Sequence, residues 1–203
     1  MTRWHGSSSP EPPSVPAPSR SSVEAMRVIA GTHRGRRLQA PATAGTRPVM
    51  DRVKESIFSA IMAEVPGAAV LDLYAGAGSF GIEAMSRGAE SVVFVESGRA
   101  ALDALRANLS VLGIEATVVG TTVERFVKQI AGRFDLVFCD PPWPIPGEEV
   151  SRLLADLAPA LDDETTVVFT RRTGDLVPEV PGLRIDDVRE HGDTTIIRYV
   201  MDR

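Results

Sequence analysis

Short apolar runs alternate along this chain with stretches in which apolar residues recur every three or four positions. The runs at 69–74, 91–96, 115–120, 134–140 and 165–170 are too short for helices and stop at Gly, Pro, Thr or acidic residues, so they read as strands. Between them, 79–87, 98–112, 122–131 and 148–160 carry the helical period. Strand alternating with helix predicts right-handed βαβ crossovers and a mostly parallel sheet covered by helices on both faces. The end of the chain departs from that rhythm. Residues 183–189 and 195–201 form two strands joined only by Glu190-His-Gly-Asp193, which predicts an antiparallel hairpin at one edge and brings the strand count to seven. Upstream, Val53, Ile57, Phe58, Ile61 and Met62 predict an amphipathic helix over 50–65, after a loop at 43–48. Further upstream, Arg27-Val-Ile-Ala and Arg36-Arg-Leu-Gln-Ala flank Gly31-Thr-His-Arg-Gly35, as two strands flank a turn.

With 203 residues, 43% of them hydrophobic, the chain suffices for one core and an appendage. Three parts are expected: a disordered Ser/Pro-rich leader or tail over 1–25, a basic hairpin extension over 26–48, and the main domain over 49–203. The single cysteine, Cys139, has no disulfide partner and falls inside a strand, where it reads as a small buried residue. No signal-like segment and no membrane-length apolar run is present, so the expectation is a cytoplasmic monomer with no membrane partner and no bound metal. The net charge of −5 argues against a nucleic-acid partner until its distribution is read. Residues 27–54 carry Arg27, Arg34, Arg36, Arg37, Arg47, Arg52 and Lys54 against one acid, Asp51, while residues 1–26 balance and the part after Lys54 is acidic. A basic module on an acidic body is the asymmetry of a protein that grips a polyanion with one part only. His33, at the predicted hairpin tip, is expected to be solvated.

The densest chemistry lies in Val70-Leu-Asp-Leu-Tyr-Ala-Gly-Ala-Gly-Ser-Phe-Gly81, an apolar strand, a tight turn and the start of a helix. Gly76, Gly78 and Gly81 space as G-x-G-x-x-G, and Glu96 closes the next strand at the distance of a ribose-binding acid. That spacing fits a dinucleotide or another adenosyl cofactor. Asp72 separates the two, because a carboxylate just before the turn repels a pyrophosphate and attracts a ligand carrying ammonium and sulfonium charges. S-adenosylmethionine is therefore favoured over NAD, with Asp72, Tyr74, Gly76, Gly78, Glu96, Thr122 and Asp140 as candidate binding residues. Asp140, at the end of the fourth strand, completes a trio of acids at the sheet's carboxyl edge, where open parallel sheets hold ligands. Thr121 and Thr122 border the same edge. Thr122 either contacts the adenine or caps the following helix.

Asp140-Pro-Pro-Trp143 supplies a second half-site. An exocyclic amine on a nucleobase is a poor nucleophile because its lone pair is delocalised into the ring. If the Asp140 carboxylate and the Pro141 carbonyl accept its two hydrogens, they hold the nitrogen toward a methyl donor and stabilise the charge that develops on it. Pro141 and Pro142 stiffen the loop so that the acceptors stand ready, and Trp143 offers a stacking face for a base taken out of its helix.

From Met26 to Tyr199 the chain resembles the RsmD family of bacterial 16S ribosomal RNA guanine-N2 methyltransferases. The resemblance rests on Met26-Arg-Val-Ile-Ala-Gly with Gly35-Arg-Arg-Leu, on Thr46-Arg-Pro with Asp51-Arg-Val-Lys-Glu-Ser-Ile-Phe58, and on Leu71-Asp-Leu-Tyr-Ala-Gly-Ala-Gly-Ser-Phe-Gly-Ile-Glu-Ala-Met-Ser-Arg-Gly-Ala89. Phe94-Val-Glu96, Asp140-Pro-Pro-Trp143 and His191-Gly-Asp-Thr194 continue it. It implies a Rossmann-like class I S-adenosylmethionine-dependent methyltransferase, α/β in class, with a seven-stranded mostly parallel sheet, a C-terminal antiparallel hairpin and the small basic N-terminal β-hairpin. It implies methyl transfer to guanine 966 of 16S rRNA in the small ribosomal subunit, with Asp72 and the glycine turn at the methionine part of the cofactor and Glu96 at its ribose. Arg34, Arg36, Arg37, Arg47, Arg52 and Lys54 are then the expected RNA contacts. The chain departs from the family at Val49-Met50, where two threonines are usual, and at Trp143, where Tyr or Phe is usual. Rival readings are an amino-group methyltransferase for another RNA or DNA base, a non-catalytic RNA-binding assembly factor, and an NAD-dependent oxidoreductase.

Overall fold

The computed structural model describes residues 26–41, 51–143 and 145–202. The segment 1–25, the loop 43–48 with Arg47, and Val49-Met50 lie outside the described residues. The seven expected strands are present: β1 (Ala69–Leu73), β2 (Ser91–Glu96), β3 (Thr117–Gly120), β4 (Leu136–Cys139), β5 (Thr166–Arg172), β6 (Leu183–His191) and β7 (Thr194–Met201). They form one sheet in the order β3-β2-β1-β4-β5-β7-β6. The first five are parallel, and β7 runs antiparallel to both β5 and β6. Strand order reverses between β1 and β4, so the crevice of a doubly wound sheet opens over their carboxyl ends.

Among the described residues are five α-helices, α1 (Asp51–Ala60) leading into β1, and α2 (Ser79–Ser86), α3 (Arg99–Leu112), α4 (Val123–Val127) and α5 (Gly147–Asp156) connecting the strands. Their ends differ from the periodic segments for local reasons. α1 stops at Ala60, yet Ile61 and Val65 stay buried; the chain past Ala60 tightens into turns that end at Pro66-Gly67. α5 stops at Asp156, and Pro159 sits in a separate 3-10 turn, Ala158–Ala160, because proline lacks the N–H a continuing helix requires. α4 is half its predicted length. The edge hairpin is tighter than expected, β6 and β7 being joined by Gly192 and Asp193 alone.

Alternation along the strands divides the core. Val70, Phe94, Phe138, Val168 and Ile196 face α1, α2 and α3, and the Phe138 ring stacks on Phe80 at 5.2 Å and tilts against Phe58 at 5.4 Å. Leu71, Leu73, Val95, Val137, Cys139, Phe169 and Tyr199 face α4 and α5. Cys139 is buried as expected, and burial pushes its thiol well above its ordinary pKa.

The N-terminal hairpin forms, with Arg27 and Arg37 bridged antiparallel. It is not a free arm. Met26, Val28 and Leu38 are buried in the same cluster as α1, α2 and α3. The backbone N–H groups of Ile29 and Ala30 donate to the two carboxylate oxygens of Glu83 on α2, at 2.7 and 2.9 Å. At the turn, Thr32 N–H donates to the carbonyl of Ser86, and a Cβ at Gly31, where φ is +81°, would stand 1.7 Å from that carbonyl oxygen. The returning strand ends at Gln39, whose N–H and C=O both pair with the Asn108 side chain on α3.

Candidate active site

The turn after β1 is built from three residues in the left-handed region: Tyr74 (φ 55°), Gly76 (φ 57°) and Gly78 (φ 87°). That region strains a side-chain-bearing residue such as Tyr74. The tyrosine is anchored by its hydroxyl, which donates to Glu124 on α4 at 2.8 Å, so its ring bridges the turn to α4. The three glycines are not equivalent. A Cβ at Gly76 would meet nothing closer than 4.0 Å, so this glycine faces open space as a ligand cradle requires. At Gly78 a Cβ would stand 2.5 Å from Leu105, and at Gly81 2.3 Å from the Phe94 ring. Those two are glycine for helix packing.

Asp72 is 1% exposed. Its Oδ2 accepts the Gly81 N–H at 2.8 Å, tying β1 to the first turn of α2, while Oδ1 is buried without a hydrogen-bond partner among the described residues. Burial is the main cause of a pKa raised to about 7, with Asp140 and Glu96 adding repulsion. Glu96 lies beside it at the end of β2. One of its oxygens accepts the Gly76 N–H at 2.8 Å; the other accepts those of Ser97 and Gly98, at 2.8 and 2.6 Å. The carboxylate thus links the glycine turn to the start of α3. Asn108 adds a third link by donating to the Ala77 carbonyl at 3.0 Å.

Asp140 follows β4, directly across the switch point from β1. Its Oδ1 accepts from the Thr170 hydroxyl on β5, and Oδ2 accepts no hydrogen bond among the described residues. Burial raises its pKa, and the threonine opposes that rise. Pro141 is buried, and Pro142 and Trp143 are exposed, Trp143 retaining 36% of its surface.

The crevice therefore gathers Asp72, Tyr74, Gly76, Glu96 and Asp140. Thr122 caps α4, accepting the Arg125 N–H. Arg34, Arg36, Arg37 and Arg52 are exposed, and Arg47 lies outside the described residues. Lys54 corrects the sequence reading. It is fully buried, its ammonium donating to the Arg27 carbonyl and lying 3.7 Å from Glu83, and it offers nothing to RNA. Desolvation lowers its pKa, against the pull of Glu83.

Three connecting residues escaped the sequence reading: Glu83, Asn108 and Thr170. The first two carried a signal, since each is a polar residue on an otherwise apolar helix face. Thr170 carried none, because its partner lies 30 residues away on a neighbouring strand.

A glycine turn at a helix N-terminus, acids closing β1 and β2, and an Asp-Pro-Pro loop after β4 define, on this sheet, the Rossmann-like class I S-adenosylmethionine-dependent methyltransferase fold. The magnesium protoporphyrin IX methyltransferase of Synechocystis PCC 6803, solved with bound S-adenosylmethionine, shares that fold at 19% identity, with a TM-score of 0.60 over 74% of this chain and 79% of that one. An Escherichia coli structure, provisionally described as the methyltransferase yhhF, is nearer: TM-score 0.79 and 28% identity over 88% of this chain and 98% of that one. In sequence, the ribosomal RNA small subunit methyltransferase D of Escherichia coli K12 is 35% identical over 166 residues, covering 81% of this chain and 83% of the relative. The family model described as Conserved hypothetical protein 95 matches residues 26–200. The chain belongs to that family, the RsmD family of small-subunit ribosomal RNA methyltransferases.

Proposed function

We propose that this protein transfers a methyl group from S-adenosylmethionine to the N2 amine of guanine 966 in 16S rRNA, within the small ribosomal subunit in the cytoplasm. The observation that carries the reading is the Asp140 carboxylate, held at the crevice with an Oδ2 that accepts no hydrogen bond among the described residues, three positions before the exposed Trp143.

The site fits the cofactor. The orphaned Oδ1 of Asp72 is a buried negative centre that a cationic ligand would compensate, and Gly76 leaves the space above the turn clear. Asp72, Tyr74, Gly76, Gly78 and Glu96 form the wall that would hold it. S-adenosylmethionine supplies a methyl carbon whose bond to sulfur breaks as its bond to N2 forms, the electron pair remaining on sulfur. The chain's own part is orientation and charge. Asp140 Oδ2 and the Pro141 carbonyl accept the amine hydrogens, point the nitrogen lone pair at the donor, and stabilise the positive charge growing on nitrogen. The proton that N2 sheds passes to the Asp140 carboxylate and on to water. Trp143 stacks on the extruded base, and Arg34, Arg36, Arg37, Arg47 and Arg52 neutralise phosphates around it.

The test incubates the protein with radiolabelled S-adenosylmethionine and small subunits that lack the modification, beside naked 16S RNA, and maps the label by digestion and mass. N2-methylguanosine at one site, preferentially on subunits, is the expected result. A methylated adenine or cytosine overturns the assigned base, and absence of label with cofactor bound overturns the substrate.

A further inference from the structure

We propose that Thr170 is a positioning residue that orients the Asp140 carboxylate and keeps it ionised. This rests on the reading of Asp140 as acceptor for the target amine.

Parallel pairing sets Cys139 beside Phe169, so Asp140, the first residue past β4, lies beside Thr170, which is still within β5. Thr170 is 2% exposed, and its hydroxyl makes one hydrogen bond among the described residues, to Asp140 Oδ1. Among the described residues that is also the only hydrogen bond on the carboxylate. A hydroxyl has a single proton to donate, and here it is committed to one oxygen of the pair. The other oxygen is left as the acceptor for an amine hydrogen. Threonine suits this task because its branched Cβ is stiff about χ1, and within β5 the backbone fixes where the hydroxyl points. The Asp140 side chain, with two free torsions, is thereby held at one bearing before substrate arrives.

The same bond sets charge. Burial favours the neutral acid at Asp140, and a neutral acid would present a proton where the amine needs an acceptor. Of the titratable groups whose charges couple to it, Asp72 on β1 repels its charge, and Cys139, which points to the opposite face of the sheet, offers it no cation. Arg171, next to Thr170, alternates to the opposite face of the sheet and pairs with Asp175. The hydroxyl of Thr170 is the described group that favours the carboxylate form.

The experiment compares Thr170→Val, which keeps shape and removes the donor, with Thr170→Ser, which keeps the donor, and uses Asp140→Ala as reference. Turnover on small subunits is followed from pH 5.5 to 9, with KM for both substrates and the melting temperature of each variant. Thr170→Val is expected to lower kcat by about 10- to 100-fold. KM for S-adenosylmethionine should stay within about twofold, and the acid limb of the kcat profile should move up by about one pH unit. Thr170→Ser should restore kcat and profile together. Should Thr170→Val prove unfolded, the Thr170→Ala and Thr170→Ser pair carries the same contrast. An unshifted acid limb and wild-type kcat without the hydroxyl, with Asp140→Ala inactive, overturn the role of Thr170 and leave the proposed chemistry standing. Substantial turnover in Asp140→Ala overturns the proposed chemistry itself.

Discussion

Asp72 is held near pH 7 in the folded chain against an ordinary 3.8, so between those values the folded protein keeps a proton that the unfolded chain has released. Its contribution to stability is present below about pH 4 and is lost as pH rises toward 7. A cationic ligand above the turn favours the ionised form and expels that proton. Calorimetric titration with S-adenosylmethionine at pH 6.5, in two buffers of different ionisation enthalpy, is therefore expected to show proton release in the wild type and none in Asp72→Asn. Equal heats in both buffers would separate Asp72 from the cofactor's charge. The corresponding change at the other acid differs in kind: Asp140→Ala should abolish transfer and leave cofactor affinity within about twofold, since this residue is assigned to the amine. The acids were legible as single letters because each closes a strand that the apolar pattern had already delimited. Lys54 was misread for an equally physical reason. Its letter belongs with the arginines around it, and only the fold reveals that α1 turns it inward, onto Glu83 and the Arg27 carbonyl.

Elements were legible where a period runs long enough to be counted, as in all seven strands and in α3. Their ends were not, because those depend on single residues such as Pro159, which stops a helix that periodicity alone would continue. The docking of the hairpin on α2 was also hidden, being made by backbone N–H groups on one side and a buried acid on the other. Glu83 accepts from Ile29, Ala30 and Arg87, and Arg87 in turn lies over the Phe58 ring at 4.7 Å. Removing the acid leaves two backbone donors and a lysine without compensation in the interior. Glu83→Ala is expected to cost about 3–5 kcal/mol in urea unfolding, as loss of one partner from a buried pair does. Gly81→Ala tests a different contact, the approach of α2 to β2; forcing a methyl against Phe94 should cost about 1–3 kcal/mol. A loss below about 0.5 kcal/mol in either variant would mean that α2 shifts to accommodate it.

Across the whole molecule, the charge count located the basic part, and the fold supplies its orientation. The hairpin lies along α2 with its turn against Ser86, at the end of the helix remote from the glycine turn, and returns to the crevice at Gln39. Eight residues of helix separate those ends by about 12 Å, so the hairpin turn that carries Arg34 stands about that far along α2 from the glycine turn. Replacing Arg34, Arg36 and Arg37 together by Ala should weaken subunit binding and reduce the slope of log affinity against log salt by about 2 to 3, leaving cofactor affinity unchanged. An unchanged slope would remove the hairpin from the RNA interface. The attachment of that hairpin bears on how such enzymes can be rebuilt. In sequence it looks like a detachable cassette, but its socket consists of Glu83, Ser86 and Asn108, all within the catalytic domain. Transplanting residues 26–41 onto another methyltransferase would carry the arginines across without the seat that aims them, so exchange of specificity between relatives requires that cassette and socket travel together.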